Sequence, residues 1–551
     1  MNSKTIKRFY SQYILPGHKL ILFAVVISAL VSTFINVVFP YLLKVIVDLA
    51  EAKNIPRLKS NVTIFAALWF LDMLIMYIYT YGLERIKVEV KKRLRVDLLR
   101  KLHIIPYKEV ISQSSGSYLQ RIIDDVEKID PLIIDTYLDL IAQTLMGLGA
   151  LYFMLKMSAL LTIVSIIPLP IYIGMMSLYQ KRAPALTGKR QEDYQRVIGF
   201  LDESISNTYI VRNFGIAAKI LEKFKTLYDI YVKSYMKLFL FNFLYSKFLN
   251  YLVSISVQLF IIVLGAVLIL HGKFTAGSVI AFMMYVNYVK APLQYILSFS
   301  TSIEPAKVSL SRIHEILNRE ETYKVDELPS SNHRNGEHAI RIKDLTFGHE
   351  EGKPVIRNLN LEIKNGEWAC ILGESGMGKS TLLNILLKHF PVPDGRVFVF
   401  GRDINEMSVG EILSLISIIE QEPQFFGDMS VYENLTLGRE VSWEEIEKIA
   451  DELGMSELLR KISKDRKILL KNSGLSGGEK KRLALLRGIL RDTPIIMMDE
   501  PTAFVDRENA FKILENLKKI LKGKTVIVTT HDEKVLPFCD RKISIEAGTS
   551  A

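Results

Sequence analysis

The segment "GESGMGKST", Gly373–Thr381, sets three glycines ahead of a lysine and the hydroxyl pair Ser380 and Thr381. Its spacing, G-x-x-x-x-G-K-[ST], suits a phosphate chain. Glycines let backbone N–H groups turn toward phosphate oxygens, Lys379 reaches the β- and γ-phosphates, and Ser380 is placed to ligate Mg²⁺. Glu374, Ser375, Gly376, Met377 and Thr381 complete the loop. A second group, "PIIMMDEPT", is an apolar run that ends in two acids about 120 residues after Lys379. Asp499 suits Mg²⁺ held through water, and Glu500 suits the orientation of an attacking water. Two more polar residues end apolar runs: Gln421 in "SLISIIEQ" and His531 in "KTVIVTTHD". Gln421 has the reach to touch Mg²⁺ and the attacking water.

The stretch "LSGGEKKRLALL" raises a separate question. Ser476 with the N–H groups of Gly477 and Gly478 opens a helix, so it forms a second anion site at a positive dipole end. Glu479 adds a carboxylate beside it. A first helical turn favours that charge, and the side chain is expected to point away from phosphate, toward the ribose side or solvent.

These residues need a parallel sheet to carry them. "HAIRIKDLTF", "NLNLEI", "EWACILG", "GRVFVFG", "SLISIIEQ", "PIIMMDE", "KTVIVTTHD" and "RKISIEAG" read as strands. Helices are expected from Gly378, Val409, Trp443, Ser476 and Glu508. Strands alternating with helices define an α/β nucleotide-binding domain over residues 339–551. Gln421, Asp499, Glu500 and His531 then share the edge at the strands' C-terminal ends.

The preceding 317 residues have another character. Hydrophobic residues make up 49% of the chain, mean hydropathy is +0.21, and most long charge-free runs precede residue 305. Six spans are expected, at Leu20–Leu43, Asn61–Leu83, Pro131–Leu155, Met157–Gln180, Phe248–Leu270 and Phe274–Val289. Arg85–Lys128 and Lys181–Lys247 are long, basic and helical in pattern, with Val88, Val90, Leu94, Leu98 and Leu102 at helical spacing. The net charge of +11 fits cytoplasmic loops better than nucleic acid. The positive-inside rule places the N-terminus, both long loops and the C-terminal half in the cytoplasm. The first helix reads as retained rather than as a cleaved signal. A polar linker, 318–338, joins the halves. Cys370 and Cys539 have no metal-ligand spacing and are expected as reduced buried thiols.

Taken in order, "GESGMGKST", Gln421, "LSGGEKKR", "PIIMMDEPT", "AFVD" and His531 resemble the motifs of an ABC ATPase. With six spans and two long cytoplasmic loops ahead of them, the chain resembles exporter-type ABC half-transporters over nearly its whole length. That resemblance implies a head-to-tail homodimer with ATP and Mg²⁺ between the ATPase domains. Ser476, Gly477 and Gly478 of one chain would cap the γ-phosphate on the other chain's loop, and Asp506 would link the two sites. His349 falls where the family places an adenine-stacking aromatic. Loop-tip helices near Tyr107–Ser117 and Tyr209–Ala217 would transmit motion to the spans. A plasma (inner) membrane exporter of an amphipathic drug, peptide or lipid is expected. An importer of the same architecture, a heterodimer with a degenerate partner, or an ATP-gated channel are the alternatives. Asp72, Asp139 and Lys290 within spans, with the aromatic group Trp69, Phe70, Tyr77, Tyr79 and Tyr81, are the candidate cargo contacts.

Overall fold

The structure is a computed structural model. It describes residues 3–113, 115–321, 336–349, 353–374, 376–463, 470–472, 474–501 and 507–544. Two compact units are present. One is built from the N-terminal 318 residues without the segment that begins at Arg100. The other takes that segment and the chain from Arg319 onward.

The first unit is helical. Its main helices are α1 (Lys19–Glu51), α2 (Ile55–Ile104), α4 (Asp135–Met157), α5 (Leu169–Ser206), α6 (Thr208–Asn213), α7 (Ala217–Asn242), α8 (Leu249–Leu270) and α9 (Ala276–Leu317). The short α3 (Tyr107–Ile111) belongs to the other unit. Among the described residues, five stretches are long and apolar enough to cross a membrane: Lys19–Glu51, Ile55–Ile104, Asp135–Met157, Ala159–Ser206 and Ala217–Leu270. The expected sixth span does form a helix, α9. It falls short of that criterion among the described residues, with Asn287 and Lys290 interrupting its apolar run.

Backbones approach closely where glycine allows it, as in membrane helix packing generally. A Cβ on Gly149 would sit 2.7 Å from Val37 Cγ1, so α4 lies directly on α1. Past the apolar stretch, α2 buries Ile86, Val90, Leu94 and Leu98 completely. That four-residue stripe is the packing face, and Val88 is exposed. Both loop-tip helices exist, as α3 and α6.

The second unit holds two sheets. β1 (His338–Phe347), β2 (Ile356–Lys364), β4 (Val397–Val399) and β5 (Arg402–Asp403) form an antiparallel sheet in the order β2-β1-β4-β5. β3 (Trp368–Leu372), β6 (Ile416–Ile419), β7 (Ile495–Asp499), β8 (Thr525–Thr530) and β9 (Arg541–Ser544) form a parallel sheet in the order β6-β7-β8-β3-β9. Its central strands are covered on both faces: Ile495–Met498 and Val526–Val528 are fully buried. Each such side chain contributes about 1.5–3 kcal/mol. Continuous apolar runs are what a doubly covered parallel strand requires.

The cysteines depart from expectation. Cys370 and Cys539 are joined in a disulfide, with Cα atoms 5.8 Å apart across 169 residues of sequence. Cys370 lies on β3, and β9, which pairs with β3, starts two residues after Cys539. Sheet order brings them together, and sequence spacing carries no sign of it.

Candidate functional site

The parallel register decides which residues meet. β3, β6, β7 and β8 end at one edge, and Gly373, Gln421, Glu500 and His531 follow their last or near-last residues there. From β3 the chain turns through the phosphate loop into α10 (Lys379–Leu386). Gly376 and Gly378 adopt φ of +88° and +87°, the left-handed region that glycine enters without cost. The open side of Gly376 has nothing within 4 Å of a would-be Cβ. Lys379 is buried, and its ammonium donates to the carbonyl oxygens of Gly373 and Glu374. Glu374 N–H contacts Met377 Sδ at 3.1 Å. These features fit a phosphate chain: a concave backbone, an open face, and a lysine folded onto the loop.

The metal-ligand candidates also meet. Ser380 Oγ donates to Asp499 Oδ2 at 3.1 Å. Thr529, which the sequence reading missed, donates from Oγ1 to Asp499 Oδ1 at 2.5 Å. The only sequence sign was its place two residues before His531 on a strand paired with Asp499. A hydroxyl and a carboxylate side by side form the hard oxygen set that Mg²⁺ prefers.

Glu500 is held from both sides. Gln421 Nε2 donates to Oε2 at 2.6 Å, and His531 Nδ1 lies 2.7 Å from Oε1. Its backbone sits at φ +52°, unusual for a residue with a side chain, and its N–H donates to Thr529 O at 2.9 Å. His349 is exposed beside the phosphate loop. Its Nε2 is 3.3 Å from Thr381 Oγ1, with Phe347 and Phe390 edge-on to its ring at 5.5 and 5.0 Å.

The Ser-Gly-Gly segment opens α11 (Gly477–Leu490) with Ser476 as its N-cap. Ser476 N–H donates to Glu479 Oε2 at 2.7 Å, and Glu479 N–H donates to Ser476 Oγ at 3.3 Å. This reciprocal capping box gives the carboxylate a structural role. It turns back onto the helix start rather than out toward ribose or solvent. Gly477 and Gly478 are exposed, with open space where a Cβ would stand. Ser375 and Asp506 lie outside the described residues.

A further arrangement links α10 to α3. Ser380 O accepts from Asn384 Nδ2 at 2.8 Å, and Asn384 Oδ1 lies 2.8 Å from His389 Nδ1. The Tyr107 ring sits 4.5 Å from the His389 ring. Burial pushes the His389 imidazole below its ordinary pKa. The loop-tip helix therefore rests at the C-terminal end of the helix whose first turn carries Lys379 and Ser380.

In the helical unit, the candidate cargo residues are already engaged. Asp72 accepts from Ser32 Oγ at 2.6 Å and Asn36 Nδ2 at 3.2 Å. Asp139 accepts from Tyr79 OH at 2.8 Å, and Lys290 donates to Ser254 Oγ at 2.8 Å. Of the aromatic group, Tyr79 turns into the bundle, while Trp69, Phe70, Tyr77 and Tyr81 are exposed.

A phosphate loop at the edge of a parallel sheet, with a strand-end carboxylate pair, defines a P-loop nucleotide-binding domain, here fused to a helical membrane domain. Sequence models narrow the class: residues 22–293 match the ABC transporter transmembrane region, and residues 356–503 match a second family described as ABC transporter. Together they take in about three quarters of the chain, which belongs to the ABC transporter family and has the architecture of its half-transporter exporters. It is 22% identical to the uncharacterized ABC transporter ATP-binding protein YfiC of Bacillus subtilis (strain 168), over 99% of this chain and 90% of that one. It is 24% identical to an ATP-dependent lipid A-core flippase of Alcanivorax borkumensis, over 85% and 80% of the two chains. The fold matches a bacterial Atm1-family ABC exporter solved with ATP bound, with TM-score 0.76, 18% identity, and coverage of 97% and 94%.

Proposed function

We propose that this chain is an ATP-driven exporter that works as a homodimer and moves an amphipathic cargo out of the cytoplasm. The observation that carries the reading is the closed set Gln421–Glu500–His531, set beside Lys379, Ser380 and Asp499 on one sheet edge. One chain thus holds the parts of a hydrolytic site, as two equal sites in a homodimer require. When bound, Mg²⁺ supplies charge neutralisation at the phosphates, with Ser380 and Asp499 to hold it.

The chain's own groups do the rest. Lys379 leaves the loop carbonyls for phosphate oxygens. Glu500 keeps a lone pair on each oxygen after Gln421 and His531 are served, so it can orient a water and accept its proton. The carboxylate need not move, because both flanking groups hold it. Ser476 Oγ–H and the N–H groups of Gly477 and Gly478 face outward to cap the γ-phosphate on a second copy's loop. The Ser476 N–H is occupied by Glu479, so the glycine amides carry the backbone share. Asp506 bridges the two sites, and His349 stacks on adenine. Tyr107 against His389 carries displacement of α10 to the loop that leads back to the spans, which switch between two facings.

The similarity to a lipid A-core flippase supports an amphipathic cargo. The basic loops support a cytoplasmic ATPase and a plasma (inner) membrane location. The test is ATP-dependent uptake into inside-out vesicles against a panel of lipids, peptides and amphipathic drugs, with Glu500→Gln as the control.

A further inference from the structure

Three lysines from three separate elements converge on a cavity of about 520 Å³ in the helical unit. Lys44 comes from α1, Lys156 from the last turn of α4, and Lys273 from the turn before α9. The turns Met157–Ser158 and Gly272–Thr275 put the cavity at one end of the spans. Tyr41, Tyr152 and Phe153 form its aromatic wall, with the Lys156 ammonium 4.8 Å over the Tyr152 ring and Lys44 5.9 Å over Tyr41.

The charge is one-sided. No carboxylate lines the cavity among the described residues. Asp48, one turn along α1, pairs with Lys44 at 3.5 Å and leaves Lys156 and Lys273 in excess. The N-terminus of α9 opens on the same space: Thr275 and Ser278 line it, their hydroxyl oxygens 2.7 Å apart. A 42-residue helix adds its positive dipole end there. Glycine packing fixes this wall. A Cβ on Gly277 would lie 2.5 Å from both Lys44 O and Asp48 Oδ1, so α9 can meet α1 only through glycine.

Neighbouring apolar side chains point outward. Leu155, Leu160 and Leu270 are 50%, 58% and 86% exposed. Cationic groups in a concavity at a membrane-span end, next to exposed leucines, fit a molecule with an anionic head and an apolar tail. We propose that this cavity binds the phosphate- or carboxylate-bearing headgroup of a membrane amphiphile. The site is independent of nucleotide, so its test does not depend on the exporter reading.

The experiment uses the full chain in detergent without ATP. Binding of fluorescent phosphatidylglycerol is titrated from mixed micelles, with phosphatidylcholine as the neutral comparison and inorganic phosphate as the tail-free anion. Phosphatidylglycerol should bind saturably and about tenfold tighter than phosphatidylcholine. Lys156→Gln with Lys273→Gln should weaken it at least fivefold, while Lys156→Arg with Lys273→Arg should retain it. Unchanged thermal melting shows that the variants fold. Equal binding of the two lipids, or equal binding by wild type and the glutamine variant, would overturn the site. Displacement of the lipid by millimolar phosphate alone would overturn the assignment to an amphiphile.

Discussion

Glu479 reaches back to the N–H of Ser476, 2.7 Å away, and so closes the start of the helix that the Ser-Gly-Gly segment opens. A carboxylate beside an anion site is tolerated because it is spent on the helix cap. Glutamine serves the same third position of a capping box. Glu479→Gln should therefore keep ATPase activity within about threefold, whereas Glu479→Ala should lower stability by about 1 kcal/mol. Thermal melting and steady-state phosphate release measure both. Ser476→Arg and Gly477→Asp should abolish activity, since each fills the open face with bulk or negative charge.

Tyr107 and His389 give the second prediction. A ring contact of this kind is worth about 0.5–1.5 kcal/mol. Tyr107→Ala should lower the ratio of cargo moved to ATP hydrolysed by about two- to tenfold, with ATP binding unchanged. Tyr107→Phe keeps the ring and should keep the ratio. Reconstituted vesicles assayed for both quantities decide it, and loss of ATP binding in Tyr107→Ala would place the residue in the site itself.

His389 also sets a pH dependence. Burial lowers its pKa in the folded chain, so the unfolded chain binds more protons near its ordinary pKa of about 6.5. Stability is then fully present above that value and is lost as pH falls from about 6.5 toward the lower folded pKa. His389→Gln should flatten this part of the melting-versus-pH curve. A curve of the same steepness in the variant would assign the slope to other groups.

Much of this was legible because local sequence and global fold agree. β1 runs over His338–Phe347 as read, and Val409 and Trp443 open helices as expected. The strand ends place Gln421, Glu500 and His531 at one edge because parallel strands must end together. What was missed depends on proximity that no spacing encodes. Cys370 and Cys539 meet through strand order, and Thr529 reaches Asp499 through register. The inward turn of Tyr79 toward Asp139, away from its aromatic neighbours, depends on helix packing. The helical pattern of that segment was legible, but packing alone selects Ile86-Val90-Leu94-Leu98 as its buried stripe and leaves Val88 exposed.

Thr529 supplies a prediction of its own. Thr529→Val removes the hydroxyl that holds Asp499 Oδ1 and leaves the strand's shape. A hydrogen bond to a charged group is worth about 1.5–3 kcal/mol. The Mg²⁺ concentration for half-maximal ATPase should rise about tenfold or more. An unchanged Mg²⁺ dependence would show that Ser380 alone positions Asp499.

Transport is proposed to be driven by hydrolysis at Glu500. The most direct measurement compares ATP-dependent cargo uptake into inside-out vesicles by wild type and Glu500→Gln, at equal protein and with ATP binding verified. Wild type should take up cargo, and the variant should lose about a hundredfold or more of that rate with ATP still bound. Uptake by Glu500→Gln at the wild-type rate would contradict it.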